Sequence, residues 1–303
     1  MGTFKLCTFN CENLFARYRF RENFTGDPEQ GWTINDSTFD IYDETEKQIT
    51  AKAIRAVDPD IVCVQEIENL PTLERFASRY LAPCKYKYRL LIDAHDPRNI
   101  DVGVLSRFPI TSVMTYRDLR TKNNKAYVYS RDCLQVTFEV TDGVEFTVYV
   151  NHFKSMMGGR AKTHDRRKQQ ADEVAHLLKK QWGSDMKGNF AVVGDFNDYL
   201  GEGTALNGLV KSPLVNIMER VSEHDRWTHY YARDEEYRQL DYILLPKDLD
   251  DAQGNPVPGV ERRGMPFRAE RVTEQRFEFV GESAPKASDH CPLYVEMDTD
   301  KVV

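Results

Sequence analysis

The chain has 303 residues and a mass of 35.1 kDa, with 41% hydrophobic and 29% charged residues and a formal net charge of −7 at neutral pH. Such a composition is globular, and its acidic balance argues against a nucleic-acid coat protein, whose surface is broadly basic, while leaving room for an enzyme with a local basic groove. No run approaches the roughly 18 apolar residues that a membrane span needs, so no membrane association is expected.

The first residues, "MGTFKLCTFN", enter a strand-like run almost at once and lack the features of a signal peptide, so a cytoplasmic location is expected. Apolar strand-like runs follow through the chain: "FKLCTFN", "DIVCVQEI", "YRLLID", "VGVLS", "DCLQVTFEV", "VEFTVYVNHF", "NFAVVGDF", "LDYILLP" and "PLYVEM". Helical periodicity interrupts them over 44–57, where Pro59 stops it, from about Pro71 onward, and over 162–182. The stretches 17–43 and 248–281 are polar and turn-rich, and read equally as functional loops or as surface insertions. Cys7, Cys11, Cys63, Cys84, Cys133 and Cys291 form no C-x-x-C pair, which points to reduced thiols. With no repeat and no Gly/Ser linker, the pattern predicts one domain over 1–303, built of two packed sheets flanked by helices.

The stretch "FAVVGDFND" ends an apolar run in Asp195, Asn197 and Asp198, with Gly194 breaking the run. Alternation along an extended chain places Asp195 and Asn197 on one side and Phe196 on the other. The same event recurs at Asn10, at Glu66, at Asn151 and His152, at Asp241, and at Asp289 and His290. Any one of these is an ordinary cap or turn, but buried carboxylates and amides cost several kcal/mol unless paired or coordinated, so the set points to a metal or a phosphate. Carboxylate and amide oxygens suit Mg²⁺ or Mn²⁺ and not zinc. His152 and His290 then read as phosphate contacts or proton-handling groups, each needing an acidic partner, with Asp241 and Asp101 as candidates.

The ordered motifs "TFNCENLF", "QEIEN", "DVGVLSR", "NHFKS", "GDFND", "LDYIL" and "SDHCPL" resemble the endonuclease/exonuclease/phosphatase superfamily, which includes deoxyribonuclease I, apurinic endonucleases, inositol polyphosphate 5-phosphatases and neutral sphingomyelinases. The resemblance implies an α/β, four-layer sandwich of two packed, mainly antiparallel β-sheets flanked by helices. It implies a metal site at Asn10, Glu66 and Asp289, a water- and phosphate-positioning pair at Asp195 and Asn197, and a histidine–aspartate dyad at His290 and Asp241. His152 matches the second histidine of deoxyribonuclease I, with Asp101 as its partner. In-line attack by water is implied, with Asp195 or the Asp241/His290 pair generating the hydroxide. The stretch "RWTHYYARDEEYRQLDYILL" resembles bacterial nucleases, which favours DNA as the substrate. A phosphatase or a small-molecule or lipid phosphodiesterase on the same fold is the first alternative, and an inactive binding module the second.

Two basic segments suit a polyanion. "GGRAKTHDRRKQQ" offers Arg160, Arg166 and Arg167 at a helix start, and "ARYRFREN" alternates Arg17, Arg19 and Arg21 with aromatic residues. A solvated charged face is the competing reading for both.

Overall fold

The computed structural model describes residues 2–20, 37–41, 43–210 and 213–302. In chain order its elements are β1 (Thr3–Leu14), β2 (Ala16–Phe20), β3 (Ser37–Ile41), α1 (Glu44–Val57), β4 (Ile61–Ile67), α2 (Leu70–Tyr80), β5 (Tyr88–Leu91), β6 (Asp101–Ser106), β7 (Ile110–Met114), β8 (Cys133–Thr141), β9 (Val144–His152) and α3 (Arg160–Trp182). There follow β10 (Phe190–Asp195), α4 (Asn207–Val210), β11 (Leu214–Asn216), β12 (His229–Tyr231), β13 (Glu236–Arg238), β14 (Asp241–Pro246), α5 (Lys247–Ala252), β15 (Gly259–Val260) and β16 (Leu293–Asp298). Every apolar run singled out in the sequence is a strand. Helix α1 stops at Asp58, which adopts a left-handed conformation just ahead of Pro59. Helix α2 starts behind Asn69, whose side-chain oxygen accepts the Thr72 N–H at 2.9 Å.

The strands form two six-stranded sheets, ordered β15-β16-β1-β4-β6-β5 and β11-β14-β10-β9-β8-β7. Each sheet contains one parallel pair, β1 with β4 and β9 with β10, and is otherwise antiparallel. The parallel pairs send the C-terminal ends of β1 and β4, and of β9 and β10, to one edge of their sheets. Strand β14, antiparallel to β10, begins at the same edge opposite Asp195. The chain from Asp289 enters β16 there too, since β16 runs antiparallel to β1.

Alternation explains the layers. Phe4, Leu6, Cys63 and Val104 of one sheet meet Val136, Phe138, Val150 and Val193 of the other. The opposite face of the first sheet, with Phe9, Val62 and Val64, is covered by Ile49, Ile54, Leu73 and Phe76 from α1 and α2. The opposite face of the second, with Tyr149, Phe190, Val192 and Tyr242, is covered by Ala171, Val174 and Leu178 of α3. The result is the α/β/β/α sandwich, in which each fully buried Leu or Phe contributes about 1.5–3 kcal/mol. All six cysteines are free and buried, and burial pushes the Cys11 thiol up to about 12, so it stays protonated and inert. Among the described residues no helix is long and apolar enough to cross a membrane.

The two unassigned stretches resolve differently. From 17–43, the strands β2 and β3 pair as an antiparallel ribbon, with the residues between them outside the description. From 248–281 come α5, β15 and a series of turns, in which Met265, Ala269 and Val272 pack with Trp227, Tyr230 and Cys291 into a small separate core.

Candidate active site

Strained backbone shapes the rim. Glu66 has φ +64° at a register shift in the β4–β6 ladder, and this bulge turns its side chain out of the strand's alternation. Across the β1–β4 pair a second shift holds Glu12 at φ +47° and Asn13 at φ +58°, which brings the Asn13 N–H to 3.1 Å from Glu66 Oε2. Gly194 does not break β10: it pairs with Asn151 and Tyr242 inside the ladder at φ +133°, and a Cβ there would lie 1.9 Å from the Asn151 carbonyl oxygen. The glycine is what lets β9 and β10 approach closely enough to set His152 beside Asp195.

Asp195 is the hub. Its Oδ2 accepts from Asn197 Nδ2 at 2.8 Å and Asn10 Nδ2 at 3.1 Å, and its Oδ1 accepts the Asn197 N–H at 2.8 Å. His152 Nε2 stands 3.4 Å from Oδ2 and His290 Nε2 3.7 Å from it. Burial opposes ionisation, yet His290 and His152 hold the Asp195 carboxyl well below the usual carboxylate range. Phe196 points the other way and stacks between Phe153 and Tyr242, with centroids 4.7 and 4.9 Å away.

His290 Nδ1 lies 2.8 Å from Asp241 Oδ2, with both side chains buried. Burial works against a charged imidazole, but Asp241 and Asp195 push the His290 pKa well above its ordinary value. His152 behaves oppositely. Burial, helped by Arg131, lowers its pKa and keeps the ring neutral. Asp241 is fixed by backbone, because Thr228 Oγ1 accepts the N–H groups of both Leu240 and Asp241 at 3.1 and 3.0 Å.

Residues 5–299 match the model of the Endonuclease/Exonuclease/phosphatase family. The chain belongs to that family. None of the curated proteins matches it in sequence. Among solved structures it is similar to the catalytic domain of human Nocturnin with bound sulfate (16% identity, TM-score 0.62, covering 98% of this chain and 94% of that one) and to an endonuclease/exonuclease/phosphatase family protein from Bacteroides thetaiotaomicron (16%, 0.61, 98% and 97%). A humanized D. rerio TDP2 is also similar (14%, 0.57, 98% and 99%). At these identities the likeness concerns the fold.

As a member of this family the chain is expected to use a divalent metal, and its donors fit one. Glu66 Oε1 has His152 Nε2 as its neighbour at 3.8 Å, beyond hydrogen-bond range, and Asp289 is a part-exposed carboxylate whose imidazole neighbours stand at 3.6 and 4.0 Å. These are hard oxygens that the protein does not saturate. Asn10 Oδ1 accepts the Glu12 N–H at 3.0 Å, which leaves its second lone pair open to a metal, and its Nδ2 holds Asp195.

Other expectations require correction. Asp101 does not partner His152. Its Oδ1 accepts the Ala94 N–H at 3.0 Å, while His152 Nδ1 has no hydrogen-bond partner among the described residues. The helix arginines are committed inward. Arg167 is fully buried with its Nε 3.4 Å from Asp198 Oδ2; Arg160 binds Asp198 Oδ1 at 2.6 Å and the carbonyls of Tyr199 and Glu202; Arg166 binds the Tyr127 carbonyl. Arg160 and Arg167 thus pair with one buried acid, Asp198, while Arg166 has only neutral partners. Arg17 and Arg19 stand on β2 opposite Asp40 and Thr38, and Arg21 lies outside the described residues.

One site residue escaped the sequence reading. His229, in "RWTHYY", lies with its Nε2 3.6 Å from Asp289 Oδ2 and its ring 4.6 Å from that of His290. His229 opens the three-residue strand β12, which follows no apolar run that would mark it in the sequence.

Proposed function

We propose that this family member hydrolyses phosphodiester bonds by in-line attack of water in a divalent-metal-dependent reaction, with DNA as its substrate. The observation that carries this reading is a single buried carboxylate, Asp195, held by two amides and flanked by two imidazoles of opposite character. Ionised Asp195 orients an attacking water and accepts its proton. His290, charged and backed by Asp241, presents its Nε2 as a donor for the leaving oxygen. His152, neutral, is suited to hydrogen-bond a phosphate oxygen. Glu66 and Asp289 would hold Mg²⁺ (or Mn²⁺), which neutralises charge on the phosphate when bound. Preference for DNA is supported by the resemblance of "RWTHYYARDEEYRQLDYILL" to bacterial nucleases.

Purified protein with Mg²⁺, Mn²⁺ or EDTA, offered plasmid, linear single-stranded DNA, RNA and an inositol phosphate, tests this reading. Metal-dependent plasmid cleavage is expected. Turnover of the inositol phosphate alone would assign the site to a phosphatase instead.

A further inference from the structure

We infer that His229, Asp289 and His290 form a second cation position that takes a borderline transition ion of the zinc class. One ligand atom from each of the three lies within 4.8 Å of the others. His229 Nε2 is 3.6 Å from Asp289 Oδ2, and His290 Nε2 is 4.0 Å from Asp289 Oδ1. Tetrahedral ligands at about 2.0–2.1 Å from an ion are about 3.3 Å apart, so no pair of these ligand atoms has to close by more than about 1.5 Å. Two imidazole nitrogens and one carboxylate select zinc-class ions over Mg²⁺, and Asp289, which also serves the Mg²⁺ position with Glu66, would give one oxygen to each ion.

Three features indicate a built site. His290 gives its Nδ1 to Asp241 at 2.8 Å, the carboxylate–histidine–metal arrangement that orients metal-binding imidazoles, and its Nε2 coordinates when the ion displaces the proton it carries. His229 is largely buried, yet its Nδ1 has no hydrogen-bond partner among the described residues, and its Nε2 reaches Asp289 only at 3.6 Å. A largely buried imidazole this poorly bonded is costly, and coordination through Nε2 would offset that cost while Nδ1 stays unpaired. Finally, the backbone is pinned: the Tyr230 N–H bonds the Asp289 carbonyl at 3.0 Å and the Cys291 N–H bonds the Thr228 carbonyl at 2.7 Å, which fixes 228–230 alongside 289–291. Trp227, buried in the small core, anchors that segment from behind. An ion here occupies the Nε2 through which His290 would serve as a proton donor, so zinc-class ions oppose the reaction proposed above. The site itself does not depend on that reaction.

Titration of the full chain with Co²⁺ in excess Mg²⁺, followed by calorimetry and by the visible ligand-field absorption that nitrogen ligation intensifies, tests the inference without any turnover. Wild type is expected to bind one Co²⁺ that Mg²⁺ does not displace. His229→Phe should weaken that binding on the order of 100-fold, and Asp241→Asn, acting through His290, by about 10–100-fold. His229→Gln gives the same loss and stands in if the Phe variant does not melt like wild type. Absence of a Mg²⁺-resistant Co²⁺ site in wild type, or unchanged binding by the folded His229 variants, would overturn it.

Discussion

Asp241 Oδ2 and His290 Nδ1 stand 2.8 Å apart, both residues buried, one at the first residue of β14 and the other three residues ahead of β16. Two strands of different sheets thus deliver one proton-handling unit. If Asp241 acts only by orienting and charging the imidazole, Asp241→Ala and His290→Ala should each lower kcat/KM by a similar factor, on the order of 10² to 10⁴. The double variant should add little, because groups that act as a unit are non-additive. Kinetics of all three at saturating Mg²⁺ check this, and multiplicative losses would assign the two residues to separate steps.

Arg167 should behave as a structural residue. Its guanidinium and that of Arg160 neutralise buried Asp198, whose Oδ2 also accepts the Ala205 N–H at 2.8 Å. Arg167→Met leaves that acid half-compensated and should cost about 2–4 kcal/mol of stability. Urea denaturation reads the loss. The salt dependence of DNA binding should keep its slope, whereas a docking arginine would flatten it by nearly one ion.

Asp101 makes stability depend on pH. Burial, reinforced by neighbouring acids, raises its pKa from the ordinary 3.8 to about 7. Between those values the unfolded chain releases the proton and the folded chain keeps it, so this group's contribution is fully present below about pH 4, falls as pH rises, and is lost above about pH 7. Asp101→Asn removes the effect. Its stability relative to wild type should therefore grow across that window, by at most about 4 kcal/mol, as urea midpoints at several pH values will show. A constant difference would mean that Asp101 ionises normally.

The layers, and most of the polar residues that gather at one edge of the sheets, were legible because both rest on local pattern. Alternating runs named the long strands, and polar residues at their ends named Asp195, Asp241, Asp289 and His290. Short strands such as β12, "HYY", and β13, "EYR", carry too little apolar alternation to be read, and with them His229 was lost. What remained hidden is set by distant contacts. Gly194 looks like a strand breaker until the Asn151 carbonyl is seen in the place of its missing side chain. The bulge at Glu66 and the burial of Asp198 likewise leave no mark in composition. A charge run therefore read as a docking surface, although Arg160 and Arg167 had an internal partner 38 and 31 residues along the chain.

In the proposed reaction Asp195, in its amide and imidazole setting, supports metal-dependent hydrolysis. Cleavage of a phosphodiester substrate by wild type and by Asp195→Asn, each with Mg²⁺ and with excess EDTA, tests it most directly, provided both proteins melt alike. Turnover is expected for wild type with Mg²⁺ only, with a loss for Asp195→Asn on the order of 10² or more. Undiminished cleavage in EDTA, or by the folded Asp195→Asn variant, would contradict it.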